Sequence, residues 1–304
     1  MKLPVLSITA ILLIAPAFAV AQDLETSYQS LQDAVAKGDA ALVKKVGGEA
    51  LVLARQAGGE QPPTGDEEKA AWTSRVEYAK SVEAYTEYAL FAVAVKSAPA
   101  TTVDLMATLE AQNPKSKYLD QGYANYLYAL GQSGGTAKIP TVAEKGLTNF
   151  PDNEDLLMVM MDHTRSTKQN DRAITYANRL VAAVGKHGKP ENLTAADWEK
   201  KRTNALMRGY YTAGVLAGEK GQDSAADKSL RAALPLIQGN NALLAPALFY
   251  LGRSNYNIAK ATASKARMLE AAKFSDQCAA ITSEYAEQAY KNALIMKTEA
   301  GKMR

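Results

Sequence analysis

The chain reads as an all-α protein built as a stack of helical hairpins. Three observations predict this. Val and Ile are scattered among Ala, Leu, Glu, Lys and Gln, which favour helix, and no segment reads as a run of strands. Gly, Pro and Asn-Asp clusters interrupt the pattern at intervals of about 15–30 residues. The stretch Tyr210–Leu236 shows a helix, a turn at Gly221 and a second helix. Within it Tyr210, Ala213, Gly214 and Ala217 keep helical spacing, and Ala226, Leu230 and Ala233 resume it. Small and large residues alternating in this way suit a hairpin that stacks on copies of itself.

Residues 1–21 come first. Lys2 precedes an apolar core, Leu3 to Ala15, and Ala19, Val20 and Ala21 form the small-x-small pattern that signal peptidase reads. The expectation is a signal peptide cleaved before Gln22, because the apolar core is too short to span a membrane. Beyond it the pattern predicts helices over 24–37, 39–57, 66–97, 101–112, 116–132, 138–149, 153–167, 171–186, 195–219, 223–238, 242–260 and 264–298. Thr194 is the expected cap of one of them, with Asp197 in its first turn. Asp171 and Asp223 are expected caps of two others, and Asp152 or Asn153 starts the helix after Pro151. Gly58 through Gly65 and Lys186 through Pro190 read as loops.

Residues 22–115 form an N-terminal helical region without repeat spacing. Its long helix near 66–97 reads as a divergent repeat, a capping hairpin or a dimerisation helix. Val76, Ala79, Val82, Leu90 and Val93 keep no strict heptad, which argues against a coiled coil. Residues 116–304 carry the repeats. Ala143 and Ala177 stand 34 residues apart, as do Gly146 and Leu180. Residues 207–240 fit a 34-residue unit best, with Gly214, Ala226 and Ala233 at close helix contacts and Tyr210, Ala217 and Leu230 at packing sites. Residues 245–278 fit through the large–small pair Leu251-Gly252. Residues 120–153 and 154–187 fit more loosely, with Leu127 and Met161 where a small residue is preferred.

This spacing resembles the tetratricopeptide repeat (TPR) family over roughly residues 116–280. The resemblance implies a right-handed α-solenoid whose first helices line a concave groove. Carried over position by position, it implies a groove face of Tyr128, then Met158, Asp162 and Arg165, then Arg208, Tyr211 and Val215, then Phe249, Arg253 and Tyr256. The Lys/Asn set that clamps a C-terminal carboxylate in chaperone-binding members is not in that arrangement, which argues against that role.

Chemistry is sparse by comparison. Two histidines, His163 and His187, and one cysteine, Cys278, lie far apart in sequence, whereas a zinc site needs three or four ligands. No nucleophile elbow, zinc-protease, phosphate-loop or dinucleotide pattern occurs. The acid-rich run at 152–155 lacks the spacing of a calcium loop and reads as capping. Glu83 and Glu87 lie one turn apart beside Lys80, which reads as a solvated face. Cys278 sits among alanines as a small buried hydrophobe. A net charge of +3 gives no reason to expect nucleic acid. Fifteen Tyr against five Phe point instead to half-buried packing or a ring-lined groove.

Together these features predict an exported scaffold or adaptor, periplasmic or secreted, that binds a protein or peptide. It would be no enzyme, with no cofactor and no metal. The rival readings are a cell-envelope assembly subunit and a glycan-acting enzyme on a helical solenoid.

Overall fold

The computed structural model describes residues 15–190 and 193–303, with side chains from residue 22 onward. The expected signal peptide therefore falls largely outside the described residues; only the backbone of 15–21 is described, as the first turns of a helix. Among the described residues thirteen α-helices follow one another: α1 Ala15–Lys37, α2 Ala40–Gly58, α3 Asp66–Ala94, α4 Pro99–Gln112, α5 Lys117–Gln132, α6 Ile139–Asn149, α7 Glu154–Ser166, α8 Asn170–Lys186, α9 Ala195–Glu219, α10 Asp223–Ala233, α11 Asn241–Thr262, α12 Lys265–Ala279 and α13 Ala286–Lys302. Short 3-10 turns at Thr136–Lys138 and Leu234–Leu236 precede α6 and extend α10. The fold is all-α, with no strand among the described residues. None of their helices is long and apolar enough to cross a membrane.

The chain divides into two compact units, residues 1–139 and 140–304. In the first, consecutive helices pack in order from α1 to α5, and α1 also meets α3, α3 meets α5 and α2 meets α4. The long helix α3 is thus embedded among all four of its neighbours, with Val82, Thr86 and Ala89 fully buried. In the second unit, consecutive helices pack in order from α7 to α13, and α7 meets α9, α9 meets α11 and α11 meets α13. Odd-numbered helices therefore touch along one layer, with the even-numbered ones packed between them.

Local chemistry sets the helix ends. Asp39, Ser116, Asn153, Thr194, Asn240 and Ser264 each accept a first-turn amide through the side chain. Thr194 accepts the Asp197 amide at 3.1 Å and donates its hydroxyl to the Asp197 carboxylate at 2.7 Å, a closed local pair. Asp171 and Asp223 are not caps. They sit inside the first turns of α8 and α10, where the exposed amides and the helix dipole favour an acid without a cap bond. Gly221 and Gly239 turn the chain at φ +70° and +80°, values that glycine adopts without steric cost.

One expected helix is two. The run 264–298 breaks after Ala279 and resumes at Ala286. The break needs no Gly or Pro: the β-branched pair Ile281-Thr282 followed by Ser283 weakens the helix, and the Ala286 amide bonds the Ser283 carbonyl at 3.2 Å.

Stability rests on packing around small residues. Ala143, Ala173, Ala177, Ala205, Ala226 and Ala233 are all fully buried, so neighbouring helices approach closely. Cys278 is fully buried, with its sulfur 3.3 Å from the Ala245 carbonyl oxygen, and burial pushes the thiol up to about 11. A soluble thiol reagent at neutral pH is therefore expected to leave the native protein unlabelled and to label one thiol per chain in denaturant. Rapid native labelling would show that α12 opens locally.

Candidate partner-binding face

The residues that the repeat pattern assigns to a groove lie on α5, α7, α9 and α11. On α5, Tyr128 stands alone, 68% exposed. The others belong to the second unit and fall into two groups.

The first group joins α7 to α9. Arg208 donates to the Met158 sulfur at 3.0 Å and forms an ion pair with Asp162, so three of the expected residues meet in one contact. One turn along α7, the Arg165 guanidinium lies 6.0 Å from the Tyr211 ring centre. Arg165 is exposed and has no ion-pair partner among the described residues. Tyr211 and Val215, expected to face the groove, are only 8% and 5% exposed. They belong instead to a core cluster with Leu230, Leu248, Leu251 and Phe274. The reason is local: every residue from 211 to 218 is buried, because α9 is covered by α8, α10 and α11 at once.

The second group joins α9 to α11. Phe249, Tyr250 and Tyr285 form a ring triad with centroids 5.0–6.4 Å apart. Gly218 makes room for it, since a Cβ there would stand 2.8 Å from the Tyr250 ring. The Arg253 guanidinium lies 5.2 Å from the Tyr250 ring centre and donates to the Gly218 carbonyl at the end of α9. Tyr256 lies further along α11 and donates its hydroxyl to Glu299 at 3.0 Å. Burial is the main cause that raises the hydroxyls of Tyr211, Tyr250 and Tyr285, and Glu219 raises each further. These phenols therefore remain neutral hydrogen-bond donors at physiological pH.

The first unit carries a ring row that the repeat pattern does not indicate. Tyr28 on α1 meets Tyr78 and Tyr85 on α3 at 6.1 and 5.1 Å. Tyr85 meets Tyr88 at 5.7 Å, and Tyr118 on α5 closes the row against Tyr88 and Phe91 at 5.6 and 5.8 Å. A signal existed: Tyr78, Tyr85, Tyr88 and Phe91 recur at steps of seven, three and three, one stripe of a helix.

The groups with conventional chemistry are tied into the scaffold. Glu83 accepts from Arg55 at 3.0 Å and Glu87 from Asn113 at 2.7 Å, linking α3 to α2 and to the end of α4. In the acidic run, Asp152 pairs with Lys186, Glu154 with His187 and Asp155 with Lys201, while Asn153 caps α7. No group of three or more His, Cys, Asp or Glu among the described residues is placed to hold a metal ion.

No protein-family model matches the chain, and no curated protein matches it in sequence, so geometry alone marks this face.

Proposed function

We propose that this chain is an exported scaffold, a right-handed TPR-like α-solenoid, that holds a protein or peptide against the odd-helix layer of its second unit. Arg165 carries the proposal. It is the exposed cation of the expected set left without a carboxylate, and it stands beside the buried Tyr211 ring. Arg208 and Arg253 are already engaged, by Asp162 and the Gly218 carbonyl, and shape the face rather than wait for a ligand. An arginine over an aromatic ring with an unused fork suits a carboxylate or backbone carbonyl of a bound chain. The Phe249–Tyr250–Tyr285 triad of the same unit supplies an apolar anchor.

A phage-displayed random peptide library panned on the purified chain tests this. Wild-type protein is expected to select binders. Arg165→Glu is expected to weaken them by about 2 kcal/mol, some thirtyfold in Kd, with helicity unchanged by circular dichroism. A library that yields no binders overturns the function. Binders indifferent to Arg165→Glu overturn the site.

A further inference from the structure

The two groups of the candidate face carry unpaired charges of opposite sign. Arg165, in the first, lies 6.0 Å from the Tyr211 ring centre and has no carboxylate partner among the described residues. In the second, two acids are left over. Glu219 ends α9, and Glu284 stands in the break before α13. Both are exposed, and neither carboxylate has an ion-pair or hydrogen-bond partner among the described residues. Arg253 is turned to the Gly218 carbonyl and the Tyr250 ring instead. Glu219 also sits where a helix disfavours it: the last turn presents bare carbonyls and the negative end of the dipole. A local rule broken with no compensating contact inside the chain suits a contact outside it.

Tyr211 joins the two groups. It belongs to the core cluster against which Phe249, Tyr250 and Tyr285 pack. It is only 8% exposed, yet its hydroxyl makes no hydrogen bond to any described residue. The hydroxyls of Tyr250 and Tyr285 make none either. Burial is the first cause that raises these three hydroxyls. Glu219 raises all of them further and Glu284 raises those of Tyr250 and Tyr285, so both carboxylates face the hydroxyls. Three phenol oxygens and two carboxylates thus surround one place. An ammonium or guanidinium group can donate to both kinds of oxygen.

We infer that the end of the face at Glu219 and Glu284 takes a basic side chain of the bound segment, while Arg165 takes an acidic one. This rests on the peptide-binding reading above and adds the charge pattern of the partner. Glu219 follows Tyr211 by eight residues, about 12 Å along α9 at about 1.5 Å per residue. An extended chain covers that span in about four residues, at about 3.3 Å each. The partner segment therefore carries an acid and a base about four positions apart. Charges of opposite sign at the two ends of the face fix its direction and register.

Sequencing the peptides panned on the wild-type chain, and titrating one of them, tests this. The selected sequences are expected to be enriched in an acidic and a basic residue about four apart. Replacing the basic residue of the chosen peptide with a neutral one is expected to weaken it about fivefold against wild type. The same replacement is expected to change nothing against a Glu219→Gln, Glu284→Gln double variant. That variant keeps its helicity, since both side chains are exposed and unpaired. Moving the basic residue next to the acidic one is expected to weaken the peptide as much as removing it. Peptides that need Arg165 but bind the double variant as tightly as wild type overturn the inference and leave the site standing. So do selected peptides without a basic residue. A library that yields no binders overturns the function and this inference together.

Discussion

Gly214→Ala is expected to destabilise the second unit, although alanine is the better helix former. An added Cβ would stand 2.6 Å from Leu230 Cγ, 2.7 Å from its Cδ2 and 3.0 Å from its backbone nitrogen. The contact with backbone cannot be relieved by a rotamer change, so α10 itself must move away from α9. Leu230 is fully buried and packs with Tyr211, Val215 and Ile237, and moving it opens that cluster. Overpacking of this kind costs about 1–3 kcal/mol, against a gain in helix propensity of about 1 kcal/mol. The clash wins, and the net loss is expected to reach about 2 kcal/mol for alanine and to be larger for valine or leucine. Gly48, inside α2, has nothing within 4 Å of an added Cβ. Gly48→Ala therefore keeps the propensity gain and is expected to stabilise by about 1 kcal/mol. Urea unfolding of the two variants should show midpoints moving in opposite directions. A stabilised Gly214→Ala protein would mean that α9 and α10 are not in close contact in solution.

The helices were legible in the sequence because their ends are chemical. Thr194 and Asn153 announce starts and Gly221 a stop, whatever the rest of the chain does. The break at 280–285 was not legible by the same signs, since Ile281, Thr282 and Ser283 weaken a helix without forbidding it. The candidate face was partly legible. Met158, Asp162 and Arg208 do come together, and Arg165 does lie beside Tyr211. The orientation of α9 was harder to read. Helical period gives the stripe that packs, but a helix covered on three sides has no single stripe, and Tyr211 and Val215 turn inward as a result. The uncharged run from Tyr210 to Gly218 was the available warning. Polar contacts between distant positions leave no periodic trace at all. Arg231 and Glu270 are 39 residues apart, and only folding brings them together.

That pair belongs to the network with the largest expected effect on stability. Asn255, fully buried on α11, donates to Asp227 at 2.7 Å and to the Leu251 carbonyl at 2.9 Å. Its oxygen accepts from Arg231 at 3.1 Å and from Arg267 at 3.2 Å. Arg231 holds Asp227 at 2.7 Å, grips both oxygens of Glu270 at 2.8 Å and lies 5.2 Å from the Phe274 ring centre. One amide thus ties α10, α11 and α12 through three charged groups. Asn255→Leu is close in size but leaves Asp227 and both arginines short of partners where water is excluded from the amide. The expected loss is about 3 kcal/mol, since a hydrogen bond to a charged group contributes about 1.5–3 kcal/mol. Arg231→Ala should cost less, because the Arg231 and Glu270 side chains are 37% and 39% exposed and water can replace part of what is lost.

The two variants should also respond differently to acid. The hydrogen bonds from Arg231 hold the Glu270 carboxyl below its ordinary value of 4.5. A depressed carboxylate stabilises the fold above its unfolded pKa, and that contribution fades as pH falls through the folded value. The gap between wild type and Arg231→Ala is therefore expected to be full at neutral pH and to narrow as pH falls below the ordinary carboxylate value of 4.5. The gap for Asn255→Leu should persist further into acid, because that variant keeps the Arg231–Glu270 pair and loses the bonds of the buried amide instead. Urea midpoints measured across that range distinguish the two. Parallel curves for both variants would mean that the Arg231–Glu270 pair adds nothing beyond packing.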